Sequence, residues 1–388
     1  MSDADYVKRL IGIVRPRAKF VACTHSDEFI DPSTGPGGGF FYVNLYDETI
    51  DSNVIRTPRG LVMIHNTYLP SFAYNLLLCW LLGADPVRGL PVPDLARLLR
   101  HNFKKFYAEQ LLHRINNMFS RAVFLETLLF EQACMVPVFR AQAADPGLSE
   151  RAALGSQIMS SAVSFHELGH YHLGHDPRAW EASLGSFAAA VGPLYDRVRD
   201  TYPPAFVEEF QCDVLSVLSC LTQYGGTGDR AFCLRATAFA FAAFAVLSSL
   251  TKSAGASAAD QRRTADDIDF GGIEKRHRDY TFTLGIDRDF VARARLVLEL
   301  CDRLAGRDGQ TVTDAPGPFP LPATVLDDLL AHVDGVMDCD DRNAREMSLL
   351  VAESLHDHPR GLEYLYLRSK TFRFGSQRNP DGSLKNPG

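Results

Sequence analysis

The chain has 388 residues, 46% of them hydrophobic and 22% charged, with 40 basic against 47 acidic side chains and a formal net charge of −7. That composition excludes collagen-like, coiled-coil and fully disordered classes, and the acidic balance argues against a whole-chain nucleic-acid binder. The length predicts two or three domains, or one large domain with insertions, and room for a sizeable core.

The first five residues carry acids where a secretory signal carries Lys or Arg, and the apolar run at 10–14 is too brief for its hydrophobic stretch. Eight cysteines are scattered with no CxxC spacing. Free thiols in a reducing, cytoplasmic compartment are therefore expected.

Residues 1–70 read as β-rich, with short apolar or β-branched runs at 20–24, 40–45, 54–56 and 61–64. The Gly/Pro-rich stretch 32–39 opens onto a strand and lacks the Lys-Ser/Thr of a phosphate loop, so it reads as a hairpin loop. From Phe72 onward helical periodicity takes over, at 72–82, 93–136 with a break, 149–173, 179–190, 204–222, 230–252 and 287–304. A short linker is expected at 143–147 and a loop at 254–260. Residues 71–305 form the predicted helical core. The Gly/Pro/Asp-rich 306–322 then marks a boundary before a C-terminal helical unit at 323–368, and 369–388 reads as a disordered tail. The expected fold class is thus α+β, mostly helical, with a short β-rich N-terminal region. Two apolar stretches call for a membrane check. Residues 61–82 contain His65, Asn66, Pro70 and Asn75. Residues 236–250 are uncharged but fall short of the roughly 20 needed to span a bilayer. A buried core helix is the expected role of the latter, and no membrane association is predicted.

One segment carries chemistry. His166, Glu167 and His170 form HExxH. On a helix the four-residue spacing stacks both imidazoles on one face, where they can grip one metal, and sets Glu167 beside the open position. Ile158, Met159, Ala162, Val163 and Leu173 continue the stripe, and Gly174 and Pro177 supply stop signals. The competing reading is a helix with surface histidines.

A catalytic zinc needs a third protein ligand. A metzincin arrangement would place Gly and His where this chain has Leu173 and Asp176. His172 and His175 come too early and read as exposed or supporting residues. A better candidate follows the two prolines at 203–204, where Phe206, Phe210, Val214, Val217, Leu218 and Leu221 form an apolar stripe. Glu209 and Asp213 sit four apart along its edge.

HExxH followed on a later helix by ExxxD resembles the gluzincin metallopeptidases. The text of 166–175 is also similar to the active-site helix of ImmA/IrrE-type peptidases and minigluzincins. The resemblance covers residues 160–221. It implies a zincin-like core, with His166, His170 and Glu209 as ligands of Zn²⁺, Glu167 as general base and Asp213 orienting a ligating histidine. It also implies a peptide or protein substrate. The chain departs from the pattern in the long interval between His170 and Glu209, and in a helix, not an edge strand, directly before the active helix. The reaction also needs an oxyanion donor besides the metal, and His277 and Tyr280, three apart in the charged cluster 274–280, are the sequence candidates. Their competing reading is a solvated charged turn.

Two other classes compete. A helical di-iron oxidoreductase would use the ExxH segments Glu167/His170 and Glu353/His356 with Glu109, Glu126 and Glu131. A non-catalytic zinc-binding scaffold would use the same histidines for folding alone.

Overall fold

A computed structural model describes residues 2–16, 18–26, 39–46, 52–66, 72–78 and 81, 92–115, 118–175, 179–226, 230–263 and 288–305. The C-terminal unit at 323–368 and the tail at 369–388 lie outside the described residues.

The chain opens with a helix, α1 (Asp3–Val14), inside the region expected to be β-rich. Its signal is short. The Ser2 hydroxyl oxygen accepts a hydrogen bond from the Asp5 amide at 3.2 Å and donates to the Asp5 carboxylate at 2.7 Å, which caps the first turn. Four strands follow close to where the sequence places them: β1 (Lys19–Ser26), β2 (Gly39–Tyr46), β3 (Asn53–Thr57) and β4 (Gly60–Asn66). Their order is β1-β2-β4-β3. The β1/β2 and β3/β4 pairs are antiparallel and β2/β4 is parallel. The β3–β4 turn depends on Gly60, whose φ of 128° suits glycine, and on Thr57, whose hydroxyl donates to the Gly60 carbonyl at 2.8 Å.

Side chains alternate across a strand. Phe41, Val43, Leu45, Val62 and Ile64 therefore pack with Val7 and Ile11 of α1 in one small core. Tyr42, Met63 and His65 belong to the opposite face of the sheet, where the Tyr42 hydroxyl is hydrogen-bonded to Ser164 of the helical layer. All seven residues of β4 are buried, as expected of a strand covered on both sides.

After a helical stretch at 72–78, the helical layer comprises α2 (Val92–Arg114), α3 (Met118–Ala144), α4 (Pro146–His175), α5 (Ala179–Leu184), α6 (Ala188–Thr201), α7 (Pro204–Tyr224), α8 (Arg230–Arg263) and α9 (Arg288–Ala305). The linker expected at 143–147 shrinks to Asp145, whose carboxylate accepts the Gly147 amide at 3.0 Å and starts α4. The loop expected at 254–260 is part of α8. Helix α8 packs against α2, α4, α7 and α9 and is the hub of the larger core. Its stretch Arg230–Lys252 is apolar enough and long enough to cross a membrane, yet 78% of its apolar window is buried within the fold. The described cysteines (Cys23, Cys212, Cys220, Cys233 and Cys301) are free, as expected.

Candidate metal centre

The site forms where α4 and α7 run against each other. Three contacts set the register: the Cys220 thiol to the Ile158 carbonyl at 3.8 Å, the Ser216 hydroxyl to the Ala162 carbonyl at 2.5 Å, and Asp213 Oδ1 to His166 Nδ1 at 2.8 Å. One chain position rises as the other falls, in steps of about one turn, so the two helices are antiparallel. Gly169 allows the approach. A Cβ there would stand 3.1 Å from the Cys212 Cα.

This register brings together the residues that the spacing singled out. His166 Nε2 and His170 Nε2 are 3.2 Å apart. Glu209 Oε2 lies 3.4 Å from His166 Nε2, and Oε1 lies 3.3 Å from His170 Nε2. His166, His170 and Glu209 could together hold a metal ion, and they are the one such group among the described residues. Asp213, fully buried, receives the other nitrogen of His166. If it accepts the Nδ1 proton, the Nε2 lone pair is left facing the cluster.

Arg293 of α9 completes the arrangement and was not anticipated. Its Nε and Nη2 donate to Asp213 at 2.8 and 2.6 Å, and its Nη1 lies 2.7 Å from Glu209 Oε2. A signal existed. Phe290, Arg293, Val297, Leu300 and Leu304 fall at helical spacing, so a cation occupies a position of the stripe that enters the core. A buried Arg at such a position needs carboxylate partners, and α7 supplies two.

The charges are strongly coupled. Burial alone would lower the pKa of His166, but the Asp213 and Glu209 carboxylates outweigh it and hold it at about 9. Burial and the neighbouring His166 push His170 down. Glu209 is lowered chiefly by its hydrogen bond to His166. Asp213 resists burial through Arg293 and falls to about 2.

A cavity of about 340 Å³ opens onto the cluster. Glu167, Arg293 and Ser52 supply its remaining polar lining, and Val163, Phe241, Phe244 and Phe290 much of its apolar wall. Strand β3, the edge of the sheet on this side, also touches α4. An edge strand thus reaches the helix that carries His166 and His170, from a segment far upstream and not from the element directly before it.

His172 is exposed, as expected. Asp176, His277, Tyr280, Glu353 and His356 lie outside the described residues, as do the side chains of His175 and Glu131. Glu109 and Glu126 are buried in α2 and α3, and Glu126 is hydrogen-bonded by Lys104 at 2.7 Å. Neither joins the histidine cluster. The chain matches no family model, no curated protein and no solved structure.

Proposed function

We propose that this chain is a zinc-dependent metallopeptidase that hydrolyses a peptide bond of a peptide or protein substrate in the cytoplasm, with Glu167 as general base. The observation that carries this reading is the convergence of His166, His170 and Glu209. Ligands about 2.0–2.1 Å from a tetrahedral ion are separated by about 3.3–3.4 Å; here the two Nε2 atoms are 3.2 Å apart, His170 Nε2 is 3.3 Å from Glu209 Oε1, and one ligand atom from each of the three residues lies within 4.8 Å of the others. Two imidazoles and a carboxylate are a donor set suited to Zn²⁺, and the gluzincin resemblance of residues 160–221 assigns the same three ligands.

When bound, zinc polarises a carbonyl and lowers the pKa of water from 15.7 to about 7. The chain's own residues do the rest. Asp213 holds His166 with Nε2 turned to the metal position. Arg293 keeps one Glu209 oxygen occupied and leaves the other for the ion. Glu167, on the cavity lining, takes a proton from the attacking water and delivers it to the leaving nitrogen. The phenylalanine wall limits the water around the reacting groups.

The test has two parts. Protein purified without chelator is expected to carry close to one zinc per chain by plasma mass spectrometry; two irons, or no metal after zinc supplementation, would overturn the reading. Glu167→Gln is expected to keep zinc and melting temperature while abolishing turnover. Proteome-wide labelling of new N-termini in cells expressing wild type or Glu167→Gln reads that turnover. If both produce the same termini, the site is a non-catalytic zinc scaffold.

A further inference from the structure

The sheet contributes its own polar group to the cavity. Ser52, immediately before β3, lines it and is 6% exposed. Behind it stands His65 of β4, fully buried, with Nδ1 3.4 Å from the Ser52 hydroxyl oxygen. The His65 ring packs against Tyr42 at 5.5 Å between centroids, and Tyr42 is tied to Ser164, two residues before the first metal-binding histidine. Among the described residues His65 Nε2 has no hydrogen-bond partner. An imidazole near the end of a fully buried strand, after Leu61–Ile64, costs free energy that a Leu or Val would not. Packing alone does not explain it.

The protonation pattern gives it a use. Burial pushes His65 down to about 4, so it is neutral at physiological pH and carries one N–H. With the proton on Nδ1 it has an acceptor in the Ser52 oxygen, and the Nε2 lone pair is then the atom left without a partner among the described residues. Ser52 then has its own O–H to direct into the cavity. The guanidinium on this lining, Arg293, has all three nitrogens engaged by Asp213 and Glu209.

Resting on the metallopeptidase reading, we infer that Ser52 is a catalytic residue whose hydroxyl donates a hydrogen bond to the scissile carbonyl oxygen as negative charge develops there, and that His65 is the positioning residue that aims it. The contact between them is long, as such contacts often are before substrate tightens them.

The experiment uses the zinc-loaded full chain and two probes. One is a phosphinic pseudopeptide with phenylalanine side chains, whose tetrahedral anion stands for the developing oxyanion. The other is acetohydroxamate, which engages the metal without extending across the cavity. Ser52→Ala is expected to keep zinc, to melt somewhat lower because the buried His65 N–H loses its acceptor, and to weaken phosphinic binding by about 10–100-fold, the effect of one hydrogen bond to a charged group, with acetohydroxamate binding unchanged. Ser52→Thr retains phosphinic binding. His65→Asn, which keeps an N–H near the Nδ1 position, also retains it, whereas His65→Leu loses it. Equal phosphinic affinity in wild type and a zinc-loaded Ser52→Ala overturns the inference and leaves the zinc site standing. So does a zinc-loaded wild type that binds the phosphinic probe no tighter than acetohydroxamate. Labelling of Ser52 by a fluorophosphonate in chelated protein would make it a nucleophile and replace the donor role. A wild type that takes up no zinc removes the peptidase reading, and this inference with it.

Discussion

Asp213 serves two partners, the His166 imidazole and the Arg293 guanidinium, and it is the residue whose loss is felt in two ways. Asp213→Ala removes the carboxylate that stands 2.8 Å from His166 Nδ1; under the proposed function, in which that carboxylate orients a ligand, the effect is about 10–100-fold on metal affinity. The substitution also leaves a buried guanidinium with a single carboxylate, in a class of change that destabilises by about 3–5 kcal/mol. The double variant Asp213→Ala/Arg293→Met is therefore expected to regain melting temperature without regaining zinc affinity, as read by calorimetry and competition with a chelating dye. Recovery of both would mean that Asp213 acts on the metal only through stability. The pH dependence follows from His166. Its raised pKa contributes stability to the metal-free protein that is complete below about 6.5 and is lost as pH rises through about 9. Zinc must displace that proton, so the gain in melting temperature on zinc loading is expected to widen between pH 7 and 9; a constant gain would contradict the protonated metal-free site. HExxH and Glu209/Asp213 were legible because a spacing of four on one helix states a shared face. Arg293, Ser52 and His65 were not assigned, since tertiary packing alone brings α9 and the sheet to that face.

At the scale of elements, α4 and α7 meet closely enough for Gly169 to matter. Gly169→Ala sets a methyl 3.1 Å from a backbone carbon that cannot swing away. An overpacked core contact of this kind costs about 1–3 kcal/mol, and here the displaced helix carries Glu209 and Asp213. The variant is expected to melt lower and to bind zinc more weakly, whereas Gly174→Ala, which meets nothing within 4 Å, changes neither. Zinc affinity equal to wild type in Gly169→Ala would show that the register has slack. Most helices were legible from their period. The exceptions have local causes. Ser2 and Asp5 cap α1 ahead of the first expected strand, inside the region that reads as β-rich as a whole. The helix expected at 179–190 is interrupted at Gly185–Phe187, and α6 continues past Ala190 through Gly192 and Pro193 because Val191, Leu194 and Val198 keep a buried stripe. The single residue Asp145 separates α3 from α4, where the composition suggested a longer linker.

Across the whole molecule, the sheet and the helical layer have separate small and large cores, and the candidate site lies where they adjoin. Helix α8 is the hub of the larger core, so its amides at 234–250 are expected to be among the last to exchange with deuterium, after those of α1. Earlier exchange in α8 than in α1 would contradict that role. The sharing of Glu209 has a further consequence. Its carboxylate faces Arg293 and both histidines before any ion arrives. The receptor is in place in advance, and its negative charge is already balanced. Loading then requires the loss of a proton and not a rearrangement of helices. Its rate should track pH and zinc concentration, with no slow, concentration-independent phase of the kind that marks a protein folding around its metal.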